Sequence, residues 1–194
     1  MKKYYAIYKP FGMLSQFSRE GNRPTLADLG EFDKNIYPVG RLDADSEGLL
    51  ILTNDRSLNS QLLDPSQKHD RTYYVQVDGE INEEALIGLN QGLILNIKGK
   101  MYHTKPAKAS MIETPVLPER DPPVRFRKNI PTTWISLKLQ EGKNRQVRKM
   151  TAAVGFPTLR LVRWAIEDLT VANFQSGEVR QITERDIFEQ LKIN

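Results

Sequence analysis

The 194-residue sequence contains no cysteine. The chain therefore cannot form a disulfide, a thiolate metal site such as a zinc finger, or a cysteine nucleophile. Its two histidines, His69 and His103, lie far apart, and no metal-ligand spacing surrounds either of them. A histidine-built metal centre would need distant carboxylates to complete it, so we expect no metal.

Long apolar runs and nucleotide-binding glycine patterns are also missing. The apolar run from Leu49 to Leu52 is far shorter than the roughly 20 residues of a membrane-spanning helix. The first residues, MKKYYAIYKP, mix tyrosine, lysine and proline where a signal peptide needs an unbroken apolar stretch. No P-loop or dinucleotide fingerprint is present. We expect a soluble, cytoplasmic protein with no cofactor and no membrane partner.

Positive charge is concentrated in one part of the chain. The segment from Glu119 to Trp164 has eleven basic and three acidic residues, a net charge of +8. The remainder has 17 basic and 21 acidic residues, a net charge of −4. This distribution is typical of a polyanion-binding face. A run of charge can equally be a solvated surface, so charge alone leaves nucleic-acid binding open.

Apolar periodicity and capping residues predict a mixture of strands and helices. Strands are predicted over residues 3–9, 48–53, 72–77, 132–139, 159–169 and 178–182. Helices are predicted after the N-caps Asn54, Asn82, Asn144 and Thr183. The five prolines between Glu113 and Pro131 predict a long irregular loop.

The predicted fold class is α+β, with a largely antiparallel mixed sheet, flanking helices and a central cleft. The sequence contains no internal repeat and no Gly/Ser linker. We therefore expect residues 1–194 to form one catalytic domain, with possible lobes at about 1–70 and 71–194.

A carboxylate-rich loop precedes the predicted buried strand. Asp43, Asp45 and Glu47 lie between Gly40 and Gly48, two glycines that permit unusual backbone angles. The spacing does not fit an EF-hand calcium loop. Two interpretations remain open from composition: an Asx-rich turn that leads into a strand, or a nucleophilic carboxylate that a neighbouring arginine keeps ionised.

A second motif, Glu141 to Met150, has the sequence EGKNRQVRKM. A glycine-containing turn feeds a helix whose first turn is dense in cations and amides, a combination that attracts phosphate. Tyr73, in a predicted strand, follows a basic residue by two positions. Its ring suits either ordinary strand packing or a stacking surface for an extruded base.

Four motifs then combine: Tyr8-Lys9-Pro10, the Gly-Arg-Leu-Asp segment of residues 40–53, the basic-x-Tyr of residues 71–73 and the segment 141–150. Their order and approximate spacing resemble those of the pseudouridine synthases, in the branch that modifies ribosomal RNA, and most closely its large-subunit members. The resemblance covers essentially the whole chain. It implies the pseudouridine synthase catalytic fold.

The resemblance also implies roles for individual residues. Asp43 would be the catalytic aspartate, Tyr73 would stack on the target uracil, and Arg148 would pair with Asp43. The residues implied to surround the RNA backbone and the flipped nucleotide are Lys9, Arg41, Lys143, Asn144, Arg145, Gln146, Lys149 and Arg163. An N-terminal S4-type RNA-binding module is expected to be absent, because the Tyr-Lys-Pro strand begins at residue 4.

The reaction implied is the isomerisation of one uridine of ribosomal RNA, with large-subunit rRNA or its assembly particle as partner and a monomeric enzyme. Asp43 would attack the sugar or remove its C2′ proton, and the sequence leaves both open. A glycosidase using Asp43 with Asp45 or Glu47 is a second interpretation, which the +8 segment disfavours. A non-catalytic rRNA-binding or assembly module is a third, which the joint presence of Asp43, Tyr73 and Arg148 disfavours.

Overall fold

The computed structural model of the chain describes residues 1–124 and 130–193. They form two compact units. The first comprises residues 1–69, 118–123 and 162–193, and the second comprises residues 70–117, 124, and 130–161. The expectation of one catalytic domain with two lobes and a cleft stays a prediction.

The described residues form eleven strands and four short α-helices. The strands are β1 (Tyr4–Lys9), β2 (Tyr37–Pro38), β3 (Glu47–Thr53), β4 (Arg71–Asp78), β5 (Ile94–Ile97), β6 (Lys100–His103), β7 (Lys108–Ile112), β8 (Thr132–Leu139), β9 (Thr158–Ile166), β10 (Leu169–Thr170) and β11 (Val179–Ile182). The helices are α1 (Arg56–Leu63), α2 (Glu83–Gln91), α3 (Gln146–Ala153) and α4 (Glu184–Leu191). None of the helices within residues 1–124 and 130–193 combines the length and apolarity needed to cross a membrane.

The first unit is organised around β3, whose seven residues are all buried. Strand β1 pairs antiparallel with β3 on one side and with β11 on the other. The last part of β9 runs parallel to the start of β3. Because β3 is covered on both faces, its sequence is a continuous apolar run rather than an alternating one. This burial fixes the strand that follows the carboxylate-rich loop.

The second unit is organised around an antiparallel sheet of β4, β8 and β7. Tyr73, Val75 and Val77 alternate along β4 and are buried in one apolar cluster with residues of β8 and α3. Strands β5 and β6 form a separate hairpin, joined by a turn at Lys98 and Gly99. Helix α3 packs its apolar face, including Val147 and Met150, into the same cluster.

Three predicted boundaries are corrected by the structure. Helix α1 is capped by Asp55, whose carboxylate accepts from the Ser57 amide at 2.9 Å, while the Asn54 side chain accepts from the Lys3 amide instead. Helix α3 begins after Arg145 rather than after Asn144. The single strand predicted over residues 159–169 is a hairpin of β9 and β10, in which Leu169 pairs with Ile166.

Candidate active site

The segment after β1 is hydrogen-bonded to the loop that carries Asp43. The Gly12 amide donates to the Ala44 carbonyl at 2.7 Å. The buried Ser15 hydroxyl donates to the Leu42 carbonyl at 2.8 Å and accepts from the Leu42 amide at 3.1 Å. The residues on both sides of Asp43 are therefore fixed through their backbone. The Asp43 side chain itself is exposed.

Lys9, in the interior of the first unit, stabilises the same segment after β1. Its side chain is fully buried, and its ammonium donates to the carbonyls of Pro10 and Met13, both at 2.8 Å. Burial lowers the pKa of Lys9 to about 7, although the nearby carboxylates of Glu47 and Asp45 oppose that shift. Lys9 therefore holds the segment that is hydrogen-bonded to the Asp43 loop, and the RNA contact implied for Lys9 stays a prediction that its burial disfavours.

Gly48 allows β9 to approach the start of β3. Its φ angle is +101°, and a Cβ atom at this position would lie 2.4 Å from the carbonyl oxygen of Arg163. Arg163 is itself buried, and its Nε donates to the Leu49 carbonyl at 2.8 Å. Arg163 thus packs β9 against β3, and the RNA contact implied for Arg163 stays a prediction that its burial disfavours.

The three carboxylates of the loop have different surroundings. Asp43 is exposed and Asp45 is half-buried. Glu47 is buried at the first position of β3, where its Oε1 lies 3.4 Å from the donating Tyr8 hydroxyl. Asp43 is therefore the most accessible acid of the three. Arg41, two residues earlier, is also exposed.

The turn before α3 presents cations and an amide to solvent. Lys143, Asn144 and Arg145 are all exposed. Arg145 has a φ angle of +52°, a left-handed conformation, and is the last residue before the helix. These three positions agree with the phosphate-facing role that the resemblance implies for them, and that role stays a prediction.

A buried carboxylate anchors this turn. Glu141 accepts from the Tyr102 hydroxyl at 2.6 Å and from the Lys105 amide at 3.0 Å. It also accepts from the side-chain amide of Gln146, whose Oε1 in turn accepts from the Lys143 amide at 2.9 Å. The hydrogen bond to Glu141, with burial, raises the pKa of Tyr102 to about 12. Gln146 is buried and shapes the helix start, and the RNA contact implied for Gln146 stays a prediction that its burial disfavours.

Arg148 and Lys149 follow on the first turns of α3. The Arg148 guanidinium lies 3.4 Å from the Thr158 carbonyl, and the Thr151 and Thr158 hydroxyls are 2.7 Å apart. These contacts tie α3 to the start of β9 within the second unit. The Lys149 ammonium donates to the Asn96 carbonyl of β5 at 2.8 Å.

Tyr73, Val75 and Val77 share one buried face of β4, and Tyr73 is the most exposed of the three. It pairs with Leu137 of β8, and 9% of its surface is exposed. Its ring therefore belongs to the apolar cluster of the second unit and has a small accessible part. A ring in this position has the apolar face that base stacking requires.

The predicted site residues are divided between the two units. Asp43, Arg41, Lys9 and Arg163 belong to the first unit, whereas Tyr73, Arg148 and the turn before α3 belong to the second. The pairing of Asp43 with Arg148 stays a prediction. Of the basic segment, Arg125, Arg127 and Lys128 lie outside the described residues, while Arg120 stacks on the Phe11 ring at 4.2 Å.

Sequence reasoning missed two groups that shape the site. Ser15 had no signal, because it lies in a polar loop without a recognisable spacing. Glu141 was part of a recognised motif, but its partners Tyr102 and Lys105 come from another part of the chain.

Within residues 1–124 and 130–193, no three histidine, aspartate or glutamate side chains cluster closely enough to hold a metal ion.

Comparison with known proteins identifies the family. The profile of the RNA pseudouridylate synthase family matches residues 3–153. A protein of Vibrio parahaemolyticus named ribosomal large subunit pseudouridine synthase E is 49% identical over 181 residues, 93% of this chain and 74% of that protein. One of the same name from Xanthomonas campestris is 49% identical over 177 residues, 90% of this chain and 92% of that protein.

Known structures agree with this result. A crystal structure described as a pseudouridylate synthase matches with a TM-score of 0.80 and 26% identity, over 98% of this chain and 74% of that one. The α+β fold expected from the sequence is confirmed, and so is the resemblance carried by the four motifs. The chain belongs to the RNA pseudouridylate synthase family.

Proposed function

We propose that this chain isomerises one uridine of large-subunit ribosomal RNA to pseudouridine. The family match over residues 3–153 carries the proposal, and the names of the most similar relatives support the large-subunit substrate. In this reaction the bond between N1 and C1′ breaks and a bond between C5 and C1′ forms. N1 gains a proton and C5 loses its hydrogen to solvent, so the atoms balance without an external group, oxidant or energy source.

Asp43 is the reacting carboxylate in this proposal. Its exposure, on a loop whose neighbouring backbone is fixed by Gly12 and Ser15, supports this role. A carboxylate held in place by its loop needs little reorganisation when the substrate arrives. Asp43 would either attack C1′ of the sugar or remove the proton from C2′, and both remain open.

Arg148 and Tyr73 complete the proposed chemistry. The Arg148 guanidinium would orient the Asp43 carboxylate and keep it ionised, since a cation nearby favours the charged form of an acid. The Tyr73 ring would support the detached uracil while it rotates. Both residues are held by the second unit, Arg148 on α3 and Tyr73 on β4.

Phosphate binding is proposed for exposed cations and one exposed side-chain amide rather than for buried cations. Arg41, Lys143, Asn144 and Arg145 are exposed, and Lys149 is partly exposed.

A monomeric state and a cytoplasmic location remain parts of the proposal. Light scattering of the purified protein tests the first, and fractionation of cells tests the second. Whether naked RNA or an assembly particle is the substrate is tested by comparing the two in one assay.

The glycosidase alternative needs a second carboxylate beside Asp43. Glu47, on β3, is buried against Tyr8 and is poorly placed for that role, whereas the half-buried Asp45 is tested by the Asp45→Asn variant. The non-catalytic alternative is separated by experiment. Large-subunit rRNA transcribed with tritium at C5 of uridine should release tritium when the protein is added, because isomerisation replaces the C5–H bond. RNA binding without tritium release from either rRNA or particle would support the non-catalytic module instead.

A further inference from the structure

A second basic stretch lies outside the segment singled out in the sequence. Residues 85–112 contain Lys98, Lys100, Lys105 and Lys108 and no aspartate or glutamate. These residues form most of α2, the β5–β6 hairpin and β7, all within the second unit. The second unit therefore has a positive region that the count over residues 119–164 does not include.

The β5–β6 hairpin has one face turned away from the core. Ile94 pairs with His103 and Asn96 pairs with Met101 across the two strands. These four side chains are exposed, whereas Leu95 on the opposite face is buried. The exposed fractions of Ile94 and Met101 are 66% and 71%. The outer face thus combines apolar side chains with polar ones.

Two lysines occupy the tip of this hairpin. The φ angles of Lys98 and Gly99 are +52° and +81°, as a two-residue type I′ turn requires. The Gly99 amide donates to the Asn96 side chain at 2.8 Å, which helps to fix the turn. Lys98 and Lys100 are both exposed. Their ammonium groups are therefore displayed by an ordered turn.

The hairpin is joined to the turn before α3 by three separate contacts. The Tyr102 hydroxyl of β6 donates to Glu141 at 2.6 Å. The Lys143 ammonium lies 4.8 Å from the centre of the Tyr102 ring, and the Lys149 ammonium donates to the Asn96 carbonyl at 2.8 Å. Two cations of the α3 motif therefore lie directly against the hairpin whose tip carries Lys98 and Lys100.

We propose that the hairpin and the turn before α3 form one continuous RNA-binding surface, here called the hairpin surface: Lys98, Lys100, Lys143, Arg145 and Lys149. It would bind backbone phosphates of ribosomal RNA next to the segment that contains the reacting uridine. This proposal rests on the proposed function, because it deepens the RNA recognition of the same enzyme.

The chemistry of the surface favours RNA as its occupant. Its charged side chains are all cations, and no acidic residue lies on the hairpin. Lysines at phosphates release counterions, which supplies most of the affinity of such contacts. An acidic protein segment is the other occupant that this charge would accept, and the test below separates it.

The test compares two double variants of the full-length protein. Lys98→Ala with Lys100→Ala removes both cations of the hairpin tip. The matched control is Lys34→Ala with Lys68→Ala, which removes two exposed lysines of the first unit and the same net charge. Lys68 also matches Lys98 in backbone conformation, with a φ angle of +53°. Binding to large-subunit rRNA is measured across a salt series, and tritium release is measured in single turnover.

The hairpin variant should lower the slope of log K against log salt by about 1.4 to 1.8, since each lost phosphate contact contributes roughly 0.7 to 0.9. It should also weaken binding on the order of tenfold at 0.1 M salt. The control should keep the wild-type slope, and both variants should keep the wild-type single-turnover rate at saturating RNA. Equal slopes for the hairpin variant and the control would overturn the proposal and leave an acidic protein as the occupant to test.

Failure of the proposed function gives a different result. If the wild-type protein released no tritium, the catalytic proposal would fall. The binding slopes would still report whether the hairpin surface contacts RNA. A loss of single-turnover rate at saturating RNA, with an unchanged slope, would contradict the hairpin surface and point to an indirect effect on the site.

Discussion

The Asp43 loop and the turn before α3 use cations in opposite ways. In the first unit, Lys9 and Arg163 are buried, and both donate to backbone carbonyls. In the second unit, Lys143 and Arg145 are exposed, and the buried charge is the Glu141 carboxylate. In the first unit, the buried cations stabilise the backbone around the Asp43 loop. The second leaves its positive charge available to a polyanion.

This difference shows that residue type alone does not assign a cation to RNA. Burying an ammonium group is costly unless it is hydrogen-bonded, so a buried lysine is generally a structural element of its loop. An exposed lysine costs the fold little and keeps its charge for a partner. The comparison therefore predicts that mutations in the two regions will change different measured quantities.

The largest effect is expected at Asp43. Asp43→Asn should lower the single-turnover rate by roughly 10² to 10⁴-fold, or abolish it, because a proton-transfer or nucleophilic group is removed. The free energy of unfolding and RNA affinity should stay near wild type, since the side chain is exposed. Asp45→Asn is the matched control and should keep substantial activity. If Asp45 or Glu47 proved equally indispensable, the paired-carboxylate interpretation would gain.

A second experiment compares two arginines of one motif. Arg148→Ala should slow chemistry at saturating RNA on the order of 10²-fold, because the group that orients the carboxylate is lost. Arg145→Ala should instead reduce the salt slope of binding by about 0.7 to 0.9 and leave chemistry at saturation unchanged. Weaker binding with normal chemistry in Arg148→Ala would show that its assignment to the active site is wrong.

The buried acid of the second unit should matter for stability. Glu141→Ala leaves the Tyr102 hydroxyl, the Lys105 amide and the Gln146 amide without their acceptor. The expected loss in the free energy of unfolding is about 1 to 3 kcal/mol for each donor that stays buried. Denaturant unfolding measures it. The exposed Glu113→Ala, from the same unit, should change stability by less than about 0.5 kcal/mol. Equal losses of stability in the Glu141 and Glu113 variants would show that Glu141 does not anchor the turn.

The smallest effect concerns the pH dependence that Lys9 contributes. The pKa of Lys9 is about 7 in the folded protein, against an ordinary value of 10.5, because of burial. Between these two values the unfolded chain binds the extra proton, so raising the pH favours the folded state. Relative to Lys9→Met, the wild-type free energy of unfolding should rise by about 1 kcal/mol from pH 7 to pH 8. A pH-independent difference between the two would contradict the folded pKa.

The regular elements were the most predictable part of the fold. Residues 132–139 were predicted as a strand and form β8 with the same bounds, because alternating side chains reach one buried face. The N-caps Asn82 and Thr183 are also confirmed, each accepting from a backbone amide of its own helix. Asn54 failed as a cap because a distant residue, Lys3, donates to its side chain. Local patterns thus predict local bonds and miss those made by tertiary partners.

The same limit applies to the site. The motifs located Asp43 and the cationic turn before α3, since both depend on residues close in sequence. Lys9 is buried because the backbone after β1 folds around its ammonium group, which donates to the Pro10 carbonyl. Arg163 is buried because it packs against β3, where its Nε donates to the Leu49 carbonyl. Neither is visible in the residue type or its spacing. The hairpin lysines lie outside the basic segment 119–164, and only the folding of β5 and β6 brings them next to its cations.

The buried position of Lys9 also determines its chemical reactivity. An amine reacts with acylating agents and reducing sugars only when it is both unprotonated and accessible. In the folded protein a large fraction of Lys9 is unprotonated near neutral pH, but the side chain has no exposed surface. When the loop opens, the amine becomes accessible and regains its ordinary pKa, so it is almost fully protonated. Burial therefore shields Lys9 in the folded state, and in the open state Lys9 has only the reactivity of an ordinary exposed lysine.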